Sequence, residues 1–328
     1  MTTLAPDHVR SPRLTGPLWL VWRQHRAAYW TLIGLTLVGV LVMVVLRGQM
    51  TDYLNTSAPK SGALPPDFEK YSGRLFSIGG YLTYVPALTG VFLGAPLFAG
   101  DLESGTAKLV TSQSVSRLRW LTTKLALTAV LIALSTTALS VTFAWWWSPV
   151  RGRDDSLEWT SGVFFDGTGP VPVAYALLTF TLGAAIGLLL RRTLVSMAVT
   201  LGAMVAIGLV WDRFRLNLGH VLTITTDRGI GPDSPQPELP AQAIQQGQGT
   251  SFLTDSGARL DWTTCLEGTS DDRAQTACLE SKHVIGYAMD YLPVTQMHTM
   301  QWLATGIMLA GTAAAVLFVV QWGQRRLL

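Results

Sequence analysis

Residues Gly100 to Lys124 read GDLESGTAKLVTSQSVSRLRWLTTK, a polar connector between two long apolar runs. It carries Lys108, Arg117, Arg119 and Lys124 against only Asp101 and Glu103. A short basic connector between hydrophobic spans is retained on the cytoplasmic face of a membrane. On charge alone it is an ordinary basic loop, and the order of its residues adds to that. Two acids lead into Gly105-Thr106, a stretch with helical pattern follows, then Ser116-Arg117, then Lys124 at the mouth of the next apolar run.

Outward from this connector the composition is that of a polytopic membrane protein. Of 328 residues, 49% are hydrophobic and only 14% charged, against about 25% charged in a soluble domain. Twelve Trp fit a chain with two membrane interfaces. The net charge of +3 gives no reason to expect nucleic acid as a partner. The distribution of charge fixes an orientation. Segments on the connector's side hold twelve Lys and Arg against three acids, while the opposite side holds twelve against eighteen over much more chain. That asymmetry predicts both termini in the cytoplasm.

Six apolar runs follow in order. Residues 1–30 form a polar arm ending in PLWLVWRQHRAAYW. There Trp19, Trp22, Arg23 and Arg26 recur at helical spacing, as in an interfacial helix. The plainer alternative is the cytoplasmic end of a longer first span. Residues 31–211 hold spans one to five, at Thr31–Leu46, Ile78–Ala99, Leu125–Trp147, Val171–Leu190 and Thr193–Trp211, with Gly100–Lys124 as the connector of spans two and three. Arg47–Ser77 reads as an outer loop with few strand or helix signals. Pro86 and Pro96 predict kinks in span two, and Gly90 and Gly94 predict close helix approach, for packing or for a transport path. Trp145, Trp146 and Trp147 read as an interface belt, with an aromatic stacking site as the alternative. Asp154, Asp155, Glu158 and Asp166 read as solvated acids in preference to a metal site. Arg191-Arg192 makes a minimal inner turn.

Residues 212–299 form the largest polar region, expected outside the cell. Its GIGPDSPQPELPAQAIQQGQG stretch (229–249) predicts an irregular linker, and 274–292 predicts a helix. Cys265 and Cys278 lie there. Too few His or Cys surround them for zinc, so an extracellular disulfide is expected. Residues 300–328 hold span six and a cytoplasmic tail with Arg325 and Arg326. The predicted fold is an all-α membrane protein with six transmembrane helices, an N-terminal interfacial helix and a large extracellular loop between spans five and six.

Several chemistries have no residues to carry them. Gly100-x4-Gly105 is followed by Thr106-Ala107, where a phosphate-binding loop needs Lys and then Ser or Thr. No ATP site is expected on this chain. The cores of the predicted spans carry no Asp, Glu, Lys, Arg or His, which disfavours proton coupling and intramembrane proteolysis. Neither H-E-x-x-H nor G-x-S-x-G occurs.

The connector resembles the first cytoplasmic loop of type-2 ABC exporter permeases. In that family an acid, Gly-Thr, a few apolar residues, Pro-Val-Ser-Arg and a Lys recur in this order. Here Ser114 replaces the Pro before Val115-Ser116-Arg117. The resemblance implies a permease subunit in the cell membrane that is not itself an enzyme and binds no cofactor. ATP and Mg would be held by a partner ABC ATPase. Asp101, Glu103, Gly105, Thr106, Ser116, Arg117 and Lys124 would couple to that ATPase, and a second permease chain, identical or homologous, would complete the pathway. Apolar spans suit a hydrophobic or amphipathic cargo such as an antibiotic, a peptide or a lipid. The alternative reading is a non-transporting sensor or scaffold that uses its extracellular loop to bind a ligand or partner.

Overall fold

The computed structural model describes residues 17–57, 64–105, 116–153, 157–230, 234–265 and 272–326. It contains six helical segments long and apolar enough to cross a membrane. Span one is α1 (Pro17–Ser57). Span two combines α2 (Glu69–Thr83), α3 (Val85–Thr89), a π-helical turn (Gly90–Gly94) and α4 (Ala95–Glu103). Span three is α5 (Arg117–Trp147). After a short α6 (Gly162–Phe165) come span four, α7 (Val171–Leu190), span five, α8 (Thr193–Phe214), and finally span six, α10 (Met297–Arg326).

Two ends of the bundle can be told apart by their packing. At the arginine end, Leu97, Trp120, Leu121 and Val319 share one buried cluster with Leu32 and Trp322 against it. At the sheet end, Met50, Leu54, Trp147, Phe164 and Leu292 share another. Successive spans therefore run antiparallel.

Span one departs from expectation. The stretch 17–30, expected as a separate interfacial helix, is continuous with 31–46 in one helix of 41 residues. No Pro or capping residue interrupts it at Trp30. At 1.5 Å per residue it is about 60 Å long, roughly twice the hydrocarbon thickness. The helix also continues to Ser57, and α2 begins at Glu69, so much of the expected irregular loop 47–77 is helical.

Span two is broken where its prolines and glycines predicted. Pro86 has no N–H to offer the preceding turn, and Thr83 and Val85 belong to different helices. The Pro86 carbonyl accepts the Thr179 hydroxyl of span four at 2.5 Å and that of Thr89 at 2.8 Å. The glycines bring the two backbones together. A methyl group on Gly90 would stand 2.8 Å from the Thr179 carbonyl oxygen, and on Gly94, Gly183 or Gly187 it would overlap the carbonyls of Phe180, Gly90 or Ala95.

The tryptophan triplet is also corrected. Only Trp145 is exposed, at 45%, while Trp146 and Trp147 are buried. Three consecutive helical residues point around most of the helix, and here α6 covers the direction of Trp147 while Trp146 packs edge-on to Phe143. Phe164 stacks on Trp147 with centroids 4.6 Å apart.

The region between spans five and six is not all-α. It carries a four-stranded antiparallel sheet, order β1-β4-β2-β3, from β1 (Leu222–Thr226), β2 (Ile244–Thr254), β3 (Arg259–Leu260) and β4 (Val284–Leu292). Phe252 pairs with Leu260 on one side and Tyr287 on the other. The predicted helix 274–292 is half right. Helix α9 (Asp272–Ser281) ends before His283, whose φ of 56° is left-handed, and Val284–Leu292 turns into the strand that β-branched and aromatic residues favour. The Gln-Gly end of the expected linker enters β2 instead. Gly247 and Gly249, at φ of 74° and 92°, form its bulge between Gln245 and Thr250. Cys265 and Cys278 are joined by a disulfide.

A buried polar hub at the arginine end

Helix α4 ends in Asp101-Leu102-Glu103, and two residues along a helix face different ways. Asp101 turns inward and is 5% exposed. It accepts a hydrogen bond from the side-chain amide of Gln24 on span one and pairs with the ammonium of Lys124 on span three. Lys124 has no solvent exposure. Its ammonium also reaches the Leu97 carbonyl at 3.4 Å and lies 5.0 Å from the centre of the Trp120 ring. A buried charged pair thus lies just beside the predicted core of span three, which starts at Leu125. Span three starts at Arg117 and carries Lys124 two turns inside.

Glu103 turns outward to span five. Its Oε2 accepts the Thr193 backbone N–H at 2.8 Å. The first N–H groups of a helix have no partner within it, and Arg192, the residue before α8, provides no side-chain cap. Glu103 supplies that cap from another span and places negative charge at the positive end of the helix dipole.

Gly105 then stops the chain from continuing as helix, at φ of 72°, where a side chain would be strained. On the far side of the connector the Ser116 hydroxyl accepts the Arg119 N–H at 3.3 Å and caps span three. Arg117 is half-buried and Arg119 exposed. Thr106 and Lys108 lie outside the described residues, as do Ser114, Asp154 and Asp155. The structure thus unites Asp101 and Lys124 in the interior, sets Glu103 on span five, and leaves Ser116 at the surface.

Gln24, His25, Tyr29, Thr128 and Thr193 complete this hub and were not singled out in the sequence. Tyr29 Oη and Thr128 Oγ1 lie 2.8 Å apart. The buried Nε2 of His25 has no partner among the described residues. A signal was available for part of this. Lys124 and Thr128, four residues apart on an otherwise apolar helix, share one face. Of the other expected interface residues, Trp19 is exposed with the Arg23 guanidinium 5.1 Å from its ring centre, Trp22 is half-buried and Arg26 exposed.

A second buried pair locks the sheet end. Arg215, just past span five, meets Asp166 beside α6 at 3.1 Å, and the Trp211 indole N–H donates to the same carboxylate at 2.9 Å. Burial pushes the Asp166 carboxyl above the usual range, although Trp211 and Arg215 oppose this.

Six apolar helices with polar groups paired between them define a multi-pass membrane protein. Residues 33–215 match the model of the ABC-2 membrane transporter related family, more than half of the chain. The chain belongs to that family, whose domains are membrane subunits working with ABC ATPases. The match ends as span five ends, before the sheet and span six. No curated protein and no solved structure matches the chain significantly.

Proposed function

We propose that the protein is the permease subunit of an ATP-driven exporter, with ATP and Mg bound by a separate ABC ATPase that docks on Gly100–Lys124 from the cytoplasm. The observation that carries this reading is the hub. Asp101 ties the connector to spans one and three, and Glu103 ties it to span five. Force applied to the connector reaches four spans at once. Asp101 and Lys124 then transmit that force from within, whereas Ser116 and Arg117 stand where a partner can touch them. Two permease chains form the pathway. A hydrophobic or amphipathic cargo suits the cavity of about 360 Å³ that Tyr175, Leu178, Ile207, Trp211, Phe214 and Met308 line between spans four, five and six.

A pull-down of the full chain in mild detergent, with bound proteins identified by mass spectrometry, tests this. The expected result is a stoichiometric ATPase with the wild type and a depleted one with Arg117→Ala. No ATPase on the folded wild type overturns the permease reading and leaves the sensor or scaffold. Full ATPase recovery with Arg117→Ala removes Arg117 from the docking surface.

A further inference from the structure

Where spans three and six meet the sheet end they line an open cleft of about 240 Å³, at whose mouth Arg151 and His298 are exposed. Its wall includes Ser148 and Arg151 from beyond α5, Thr168 before α7, and His298 and Gln301 from the start of α10. The hydrogen-bonding groups there are unevenly matched. Arg151 lies 4.9 Å from the centre of the Trp147 ring and gives one N–H to the Met297 sulfur at 3.2 Å. A thioether is a weak acceptor, and no carboxylate among the described residues pairs with this guanidinium. His298 Nε2 accepts the Trp302 indole N–H at 3.0 Å, so the ring's own N–H is on Nδ1. The buried indole N–H of Trp147, also on the wall, has no acceptor among the described residues.

Acceptors on the same wall are largely engaged. The Thr168 carbonyl takes the Gln301 amide at 3.0 Å, and the Gly169 carbonyl takes the Ser140 hydroxyl at 3.1 Å. The cavity therefore offers a guanidinium and further donors, with no acid on its wall among the described residues. A forked guanidinium with spare N–H groups matches a tetrahedral oxyanion. The volume is well above the roughly 10–15 Å³ of such space that one water needs, which leaves room for a phosphate and bridging water.

The position agrees with this chemistry. Trp145, beneath the Arg47 guanidinium at 3.9 Å, and Trp302, 55% exposed, occur at the same end of spans three and six. Exposed tryptophans at span ends stand at headgroup level. We infer that this cavity binds one phosphate group, with Arg151 as its charged partner, presented either by a phospholipid headgroup or by a free phosphate-bearing solute. The site is independent of the connector and of any ATPase.

The test uses delipidated full-length protein in a nonionic detergent. Melting temperature is followed against short-chain phosphatidylglycerol, against diacylglycerol of the same chain length, and against inorganic phosphate at constant ionic strength. The expected result is a saturable rise with phosphatidylglycerol and none with diacylglycerol. Arg151→Gln shifts its midpoint about tenfold or more to higher ligand, and Arg153→Gln, off the wall, leaves it unchanged. Ala144→Leu, which fills the cavity without altering charge, loses the same response. A rise with lipid alone assigns the headgroup as source, and a rise with inorganic phosphate that Arg151→Gln also weakens assigns the solute. Equal midpoints in wild type, Arg151→Gln and Ala144→Leu overturn the site, as does no saturable response to either phosphate probe.

Discussion

Removing an ammonium from water costs several kcal/mol, and Lys124 recovers this only through Asp101, the Leu97 carbonyl and the Trp120 ring. Either partner left alone is an uncompensated buried charge. Asp101→Ala or Lys124→Ala should each cost about 3–5 kcal/mol, and the double change Asp101→Leu with Lys124→Met should recover most of that loss. Unfolding of the detergent-solubilised protein with SDS measures all three. Equal losses for single and double variants would mean that packing, not charge, dominates the site. From the sequence, Asp101 and Lys124 look like loop charges because each stands at the edge of an apolar run. What hides their burial is helix length. Spans two and three extend past their apolar cores, and only the neighbouring helices decide which face is covered. Gln24 is harder still to foresee, since its partner is 77 positions away.

Among the elements, the contact of spans two and four depends on the absence of side chains. Gly183→Ala forces a methyl group into the Gly90 carbonyl and should destabilise by about 1–3 kcal/mol. Gly34→Ala meets no atom within 4 Å and should be tolerated. The same SDS titration compares the two. This seam was readable in advance, because Gly and Pro have few roles inside a span. Element α6 was not, since its four residues carry no periodicity and their burial comes from Phe76, Phe143 and Trp147 around them. Beside α6, Asp166 holds its proton more tightly in the folded protein than free aspartate does. Its contribution to stability is complete below the free-aspartate range near pH 4 and is lost as pH rises through the elevated value. Asp166→Asn should abolish that part of the pH dependence, read from melting temperature across a pH series. An unchanged profile would show that other groups set it.

At the scale of the whole molecule, an apolar bundle and a polar sheet are stabilised by different means. The bundle has lipid around it, whereas the sheet has one small core of Phe252, Leu279, Val284 and Tyr287. The Cys265–Cys278 link contributes on the order of 3 kcal/mol by limiting the unfolded chain. Cys265→Ser with Cys278→Ser should therefore expose the region 222–292 to protease while the six spans stay protected. Cleavage mapped by mass spectrometry decides this, and an undigested sheet would make the disulfide dispensable. Six spans were plain in the sequence because long uncharged runs have few other uses. The sheet was not, because its strands contain Gln, Gly and Thr and pair only across long separations, as Leu222 does with Tyr291.

The stems of that sheet are spans five and six. Strand β1 follows span five, β4 precedes span six, and the two strands are direct neighbours over five paired residues. Below them Gln296 accepts the His220 N–H at 2.7 Å and donates to the His220 carbonyl at 2.8 Å. This ladder is a splint. Spans five and six cannot scissor apart at the sheet end without breaking it, so at that end the two helices are held as one unit.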